Sequence, residues 1–214
     1  MARNYNERRR WFVNCFLAKI SYCKETASAR NSKDLATMKP EQTNHYEAAF
    51  ALWLRERGIP YAPIQQARRW EADGEGIKSF DFLLWPGSPH PVAAEVKGRT
   101  FAGASLAGLR GLDCWTTAED IEALLRWQEI FQQDRPQGRA VFVFAFQLKQ
   151  ADVDADGLDL FDYDGRRYVF FAVEADQYRQ YSKRRSPRWQ TVTLGAEDFR
   201  KIATPLERFV EPAI

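Results

Sequence analysis

The chain has 214 residues, 45% of them hydrophobic and 28% charged, with a net charge of +2. That composition excludes a disordered or fibrous chain and fits a globular domain with a substantial core. Three scattered cysteines (Cys15, Cys23, Cys114) and only two histidines exclude a disulfide framework and weigh against structural zinc, so a cytoplasmic location is the expectation.

Residues 1–39 carry nine Lys or Arg against three acids, a net of +6, which leaves −4 for the remainder. They read as a basic N-terminal extension whose polar part, 24–39, has the composition of a linker or mobile arm. Residues 11–20 form an apolar patch after Arg8-Arg9-Arg10. Asn14, Lys19 and the lack of a small-residue cleavage site argue against a signal peptide. The patch reads instead as a short helix docking on the domain or on a partner. No run in the chain approaches the roughly 20 apolar residues of a membrane helix.

A domain spanning 40–214 is expected to open with a helix from Pro40 to Arg57, stopped by Gly58-Ile59-Pro60. Tyr46, Ala49, Phe50 and Trp53 supply its buried stripe. Glu47 lies beside that stripe and has two readings, a site residue or the third residue of a capping box on Asn44. A first strand at 61–67 and a charged turn region at 68–78 follow.

Two short strands at 79–85 and 91–97 are joined by the turn-rich 86–90. Alternation puts Glu95 and Lys97 on one strand face, Ala94 and Val96 on the other. Paired as a hairpin, the strands bring Asp81 close to Glu95, giving two carboxylates and an amine at one point. Acidic oxygens hold a hard cation, and a lysine beside them can position or deprotonate an attacking water. The bland counterpart is a solvated ion pair, but the apolar surroundings of Glu95 imply burial, which charged groups tolerate only when paired or metal-bound.

Residues 98–113, with Gly98, Gly103, Gly108 and Gly111, read as a flexible substrate-contacting loop without phosphate-loop spacing. Thr116 to Asp120 opens a second helix with capping and acidic first-turn signals, and Pro136-Gln137-Gly138 ends it. Residues 140–148 are nearly all apolar, as in a strand buried on both faces. The acidic segment 152–164 matches the start of a calcium loop, but Tyr163 stands where its glutamate belongs. A strand at 168–173, a short helix at 175–181, a strand at 190–194 and a helix at 196–202 limited by Pro205 complete the domain. Between them Lys183, Arg184, Arg185 and Arg188, interleaved with Tyr178, Tyr181 and Trp189, read as a solvated loop or a nucleic-acid contact. The alternation of elements predicts an α/β fold with a mixed sheet flanked by helices.

The order helix–Glu47, strand–Asp81, strand–Glu95-Val96-Lys97, helix resembles the PD-(D/E)XK nuclease superfamily, especially its Holliday-junction-resolvase-like branch. His45-Tyr46-Glu47-Ala48-Ala49-Phe50 looks like the hallmark of the HYExAFE proteins, over about residues 40–210. Ala51 stands where that family's pattern has Glu, and Phe80 where the superfamily's has Pro. The resemblance implies a restriction-endonuclease-like core, with Glu47, Asp81 and Glu95 as ligands of Mg²⁺ or Mn²⁺ and Lys97 orienting or activating water. It assigns His45 no role; the place of this residue near Glu47 suits an auxiliary one, steadying a ligand or a phosphate, or simply capping the helix. It further implies DNA as the nucleic-acid partner, with a homodimer as a possible assembly. Other readings are a non-catalytic nucleic-acid- or protein-binding module of the same fold, and a scaffold whose charges form a buried ion network.

Overall fold

Asn44 starts the first helix, α1 (His45–Glu56), by accepting a hydrogen bond from the Tyr46 amide at 3.1 Å. The cap therefore serves Tyr46 rather than closing a box on Glu47. The structure, a computed structural model, describes residues 44–64, 70–72, 75–87 and 90–211. The basic extension at 1–39 and the expected helical turn from Pro40 lie outside the described residues. In α1 the buried residues are Ala49, Phe50, Trp53 and Leu54, and positive-φ Gly58 follows its end.

The strands are β1 (Tyr61–Pro63), β2 (Trp70–Ala72), β3 (Glu75–Ile77), β4 (Phe82–Leu84), β5 (Val92–Phe101), β6 (Trp115–Thr117), β7 (Arg139–Leu148), β8 (Phe161–Tyr163), β9 (Arg166–Glu174), β10 (Lys183–Ser186), β11 (Thr191–Thr193) and β12 (Thr204–Pro205). Seven of them make one mixed sheet in the order β1-β4-β5-β7-β9-β12, with β8 also on β9. β5 and β7 run parallel over ten residue pairs, connected through α2 (Ala118–Asp134), and the remaining pairings are antiparallel. A smaller sheet, β10-β11-β6, lies outside it, and β2 pairs β3. The fold is thus α/β, a mixed sheet flanked by helices. Among the described residues no helix is long and apolar enough to cross a membrane.

β7 explains why both sheet faces are covered. Its Val141, Val143 and Ala145 face the layer of α1 and α5 (Leu206–Val210), while Phe142, Phe144 and Phe146 face α2, α3 (Ala175–Tyr181) and α4 (Ala196–Ile202). Small side chains on the first face are met by large ones, Phe50, Trp53 and Phe170, so both layers reach close packing. On the second face Phe144 and Phe146 meet Phe199 edge-on at 5.7 and 6.2 Å.

Three expectations are corrected. Gly98 to Phe101 is not loop but the continuation of β5, because β7 pairs with it through Phe101. Lys183 to Ser186 is a strand, since β11 supplies an antiparallel partner. The helix at 196–202 ends ahead of Pro205 as expected but is not the last element, since Thr204 and Pro205 pair on β9 and lead into α5. In the acidic segment, Asp154 is engaged locally by Ser105 Oγ (2.9 Å) and the Asp156 amide (3.1 Å), and Asp162 by Arg167 (2.9 Å).

Candidate active site

β4 has three residues against ten in β5, and the pairing of Phe82 with Ala94 is the last on that side. Continuing the register by one step sets Asp81 across from Glu95. Asp81 still donates its amide to Ala94 O at 3.1 Å, and its own carbonyl accepts from Ile64 N at 2.8 Å. Its side chain then takes over from the departing strand: Oδ2 accepts the Val96 amide at 2.7 Å. Leaving that buried amide unpaired would cost about 1–3 kcal/mol. Asp81 and Glu95 are thereby both buried at the point where the two strands part.

On β5, Glu95 and Lys97 share the face that carries Ala93 and Phe101 into the core on the α2 side. Lys97 Nζ donates to Glu95 Oε1 at 2.9 Å and to Asp120 Oδ2 at 2.7 Å. Asp120 is a site residue that sequence reasoning missed, reading it only as part of a helix start. It does close the capping box of α2 with Thr117. It is also 4% exposed, and accepts from Thr116 Oγ1 at 2.8 Å and from Lys78 Nζ as well as from Lys97. The available signal was the Thr-Thr-x-x-Asp start of a helix that follows a strand carrying a buried lysine.

Glu47 approaches from the other layer of the sheet. Gly98 makes that possible: a Cβ there would stand 2.1 Å from Cδ2 of Tyr46, so the missing side chain lets the first turn of α1 lie on β5. Glu47 is half-buried, and its carboxyl is raised by that burial and by the charge of Glu95. It therefore lies within electrostatic reach of Glu95. Among the described residues, however, no three His, Cys, Asp or Glu side chains are grouped so as to hold a metal ion.

The carboxyls differ sharply in electrostatics. Burial, followed by the charge of Asp81, pushes Glu95 up to about 7, against the opposing pull of Lys97. Burial also acts to raise Asp120, but the Lys97 charge and the bonds from Lys78, Lys97 and Thr116 outweigh it and hold this carboxyl well below the usual range.

His45 Nδ1 is hydrogen-bonded to the Tyr168 hydroxyl at 2.8 Å, tying the start of α1 to β9. Burial, together with Arg166 and Lys149, lowers its pKa. The basic residues occupy the small sheet whose β6 leads into Asp120. Lys183 faces Asp198 at 3.5 Å, Arg185 faces Asp113 at 3.5 Å, Arg184 is exposed, and Arg188 lies 5.1 Å from the ring of Trp189, which is 66% exposed.

A magnesium-like cation takes oxygen ligands and is commonly bound through one or two carboxylates plus waters. Asp81 and Glu95 fit that donor set: two buried carboxyls whose mutual repulsion raises one of them, a repulsion that a cation at this point would relieve. Comparison of the chain with protein-family models and with curated protein sequences found no match.

Proposed function

We propose that the protein is a metal-dependent nuclease that hydrolyses DNA phosphodiester bonds, on a core of the PD-(D/E)XK type. The supporting observation is the meeting of Asp81, Glu95 and Lys97 where β4 leaves β5, two buried carboxyls beside an ammonium. Asp81 and Glu95 would hold Mg²⁺ or Mn²⁺, with Glu47 contributing through its field. Once bound, such an ion supplies Lewis-acid polarisation of a phosphoryl oxygen and a nucleophilic water at neutral pH.

Lys97 already donates to two carboxylates, which hold its amine in place. Its role is to donate to a phosphate oxygen as negative charge develops there. Asp120, which touches Lys97 and not the substrate, is a positioning residue. His45 supports the approach of α1 through Tyr168 and has no direct contact with the chemistry.

The test is incubation of the full chain with duplex, single-stranded and branched DNA in Mg²⁺, Mn²⁺ or EDTA. Cleavage that needs the metal and is lost in Asp81→Asn and Glu95→Gln is the expected result. Cleavage surviving both substitutions would refute the assignment. A second reading, a non-catalytic module or scaffold with a buried ion network, draws on the double pairing of Lys97. It predicts no metal-dependent turnover and a large loss of stability when the network is cut.

A further inference from the structure

Arg99 continues the face of β5 that carries Glu95 and Lys97, two residues beyond the lysine and about 6.6 Å further along the strand. Among the described residues no carboxylate bonds its guanidinium. Nη1 donates to the Gly98 carbonyl at 2.7 Å and Nη2 to the Trp115 carbonyl, while Nε is enclosed and has no hydrogen-bond partner among the described residues. The guanidinium lies 4.1 Å from the centre of the Trp115 ring, and that of Arg185, on β10, lies 5.2 Å from the same centre. Asp113, 3.5 Å from Arg185, is the carboxylate facing this pair. Burial, with the nearby Arg185 charge adding to it, lowers the pKa of Arg99 even though Asp113 opposes them.

Two guanidiniums gathered on one indole and sharing one carboxylate make a local excess of positive charge. Their repulsion is only partly offset by the ring's negative face. A group of this kind is stabilised by an anion, and the exposed guanidinium of Arg185 presents a planar fork that suits a phosphate, with Arg99 adding its charge from beneath. Its position says which anion: it follows directly along the strand from the ammonium assigned to the reacting phosphate. Arg184 and Arg188, one and three residues from Arg185 in the chain, are exposed as well, and Arg188 lies over the ring of Trp189.

We propose that Arg99 and Arg185, held on Trp115, form a phosphate-binding subsite for the nucleic-acid backbone, taking a phosphodiester next to the one that is cut. This rests on the nuclease reading. The subsite sets where the strand lies relative to Lys97, so it acts on binding and register and not on bond breaking.

The test measures binding of fluorescein-labelled single-stranded and duplex oligonucleotides to the full chain by anisotropy between 50 and 200 mM salt, with cleavage followed in parallel. Each lost phosphate contact removes about 0.7–0.9 from the slope of log K against log[salt], so over this range the affinity for duplex falls about 3.5-fold less steeply. Arg99→Gln and Arg185→Gln should each show that change. A neutral methylphosphonate placed beside the scissile phosphate should weaken binding by the parent and leave Arg99→Gln unaffected. Because Arg99 is largely enclosed, Arg185→Gln, at a side chain 44% exposed, carries the test if Arg99→Gln fails to fold. A parent that binds and cleaves with the same salt slope as the Arg185 variant, and that ignores the methylphosphonate, overturns the subsite and leaves the nuclease reading standing. A parent that binds no nucleic acid overturns both. Equal binding of poly-glutamate, with the same dependence on Arg185, would make this a general acidic-peptide site and also overturn the proposal.

Discussion

Asp120→Asn keeps the shape of the side chain and removes its charge from the centre of the network. In the parent this carboxylate, 4% exposed, accepts from Lys97 at 2.7 Å, from Thr116 at 2.8 Å and from Lys78, and completes the cap of α2. Removing one partner of a buried pair costs about 3–5 kcal/mol when the other is left uncompensated. Here Lys97 keeps Glu95, and Lys78, with 43% of its side chain exposed, can return to water, so the loss falls below that range. We expect about 2–3 kcal/mol, which for a chain of this size lowers Tm by about 4–12 °C. The pH dependence has a definite sign. A carboxyl whose folded-state pKa is depressed stabilises fully above its unfolded value and loses that contribution as pH falls toward the folded one. The gap between parent and variant should thus be nearly constant from about pH 5 to 7 and close below about pH 4, where the unfolded-state carboxyl protonates. Urea denaturation followed by circular dichroism at constant ionic strength reads both quantities. A loss under about 0.5 kcal/mol, the size of a surface substitution, or a gap that does not narrow in acid, would refute the role given to Asp120.

Glu95 should act in the opposite direction. Its folded-state pKa is raised to about 7, so in EDTA the parent should lose stability relative to Glu95→Gln as pH rises from the unfolded value toward 7, and a pH-independent difference in urea midpoints would contradict this. Gly98→Ala puts a methyl 2.1 Å from the Tyr46 ring and should cost about 1–3 kcal/mol by pushing the start of α1 off β5; Tyr46→Ala in the same chain should recover part of the loss in a double-mutant cycle. Lys97→Ala should lower single-turnover cleavage by about 10²–10³ with little change in DNA affinity, and equal cleavage by parent and variant would return Glu95 and Lys97 to the status of an ion pair.

Local pattern made much of the frame legible. The helix stop at Gly58, the capping start at Thr117, the apolar run of β7 and the short helix α3 each follow from side chains close together in sequence. Alternation along β5 likewise placed Glu95 beside Lys97, now 2.9 Å apart. What stayed hidden depends on partners distant in sequence. Gly98 looked like the opening of a loop because a glycine gives no local reason to continue a strand. Its reason is Tyr46, 52 positions earlier, whose ring occupies the space a side chain would need. Lys183 to Ser186 looked like loop because Lys and Arg weaken a strand signal, yet β11 pairs with it and leads on to β6. Asp120 carried a complete local explanation as a cap, and that explanation concealed a second bond, to a lysine 23 positions earlier.

The two bonds of Asp120 join the frame to the site in a way that neither would alone. The capping box fixes the carboxylate at the first turn of α2, and α2 is the connection that makes β5 and β7 parallel neighbours. Lys97 is consequently held from both sides: by Glu95 on its own strand and by Asp120 on the connecting helix. Glu95 alone would leave the ammonium free to swing about its flexible stem, since a pair two residues apart on one strand fixes only one direction. The second carboxylate removes that freedom, and holding a charged group in place before reaction is what electrostatic stabilisation of a transition state requires. The strongly unequal carboxyls fit this division. Asp120, kept ionised by its cations, anchors the ammonium, while Glu95 is pushed up by burial and by Asp81 against the pull of Lys97. The proposed metal accordingly belongs on the Asp81–Glu95 side of Lys97, next to the strand divergence, and not at Asp120.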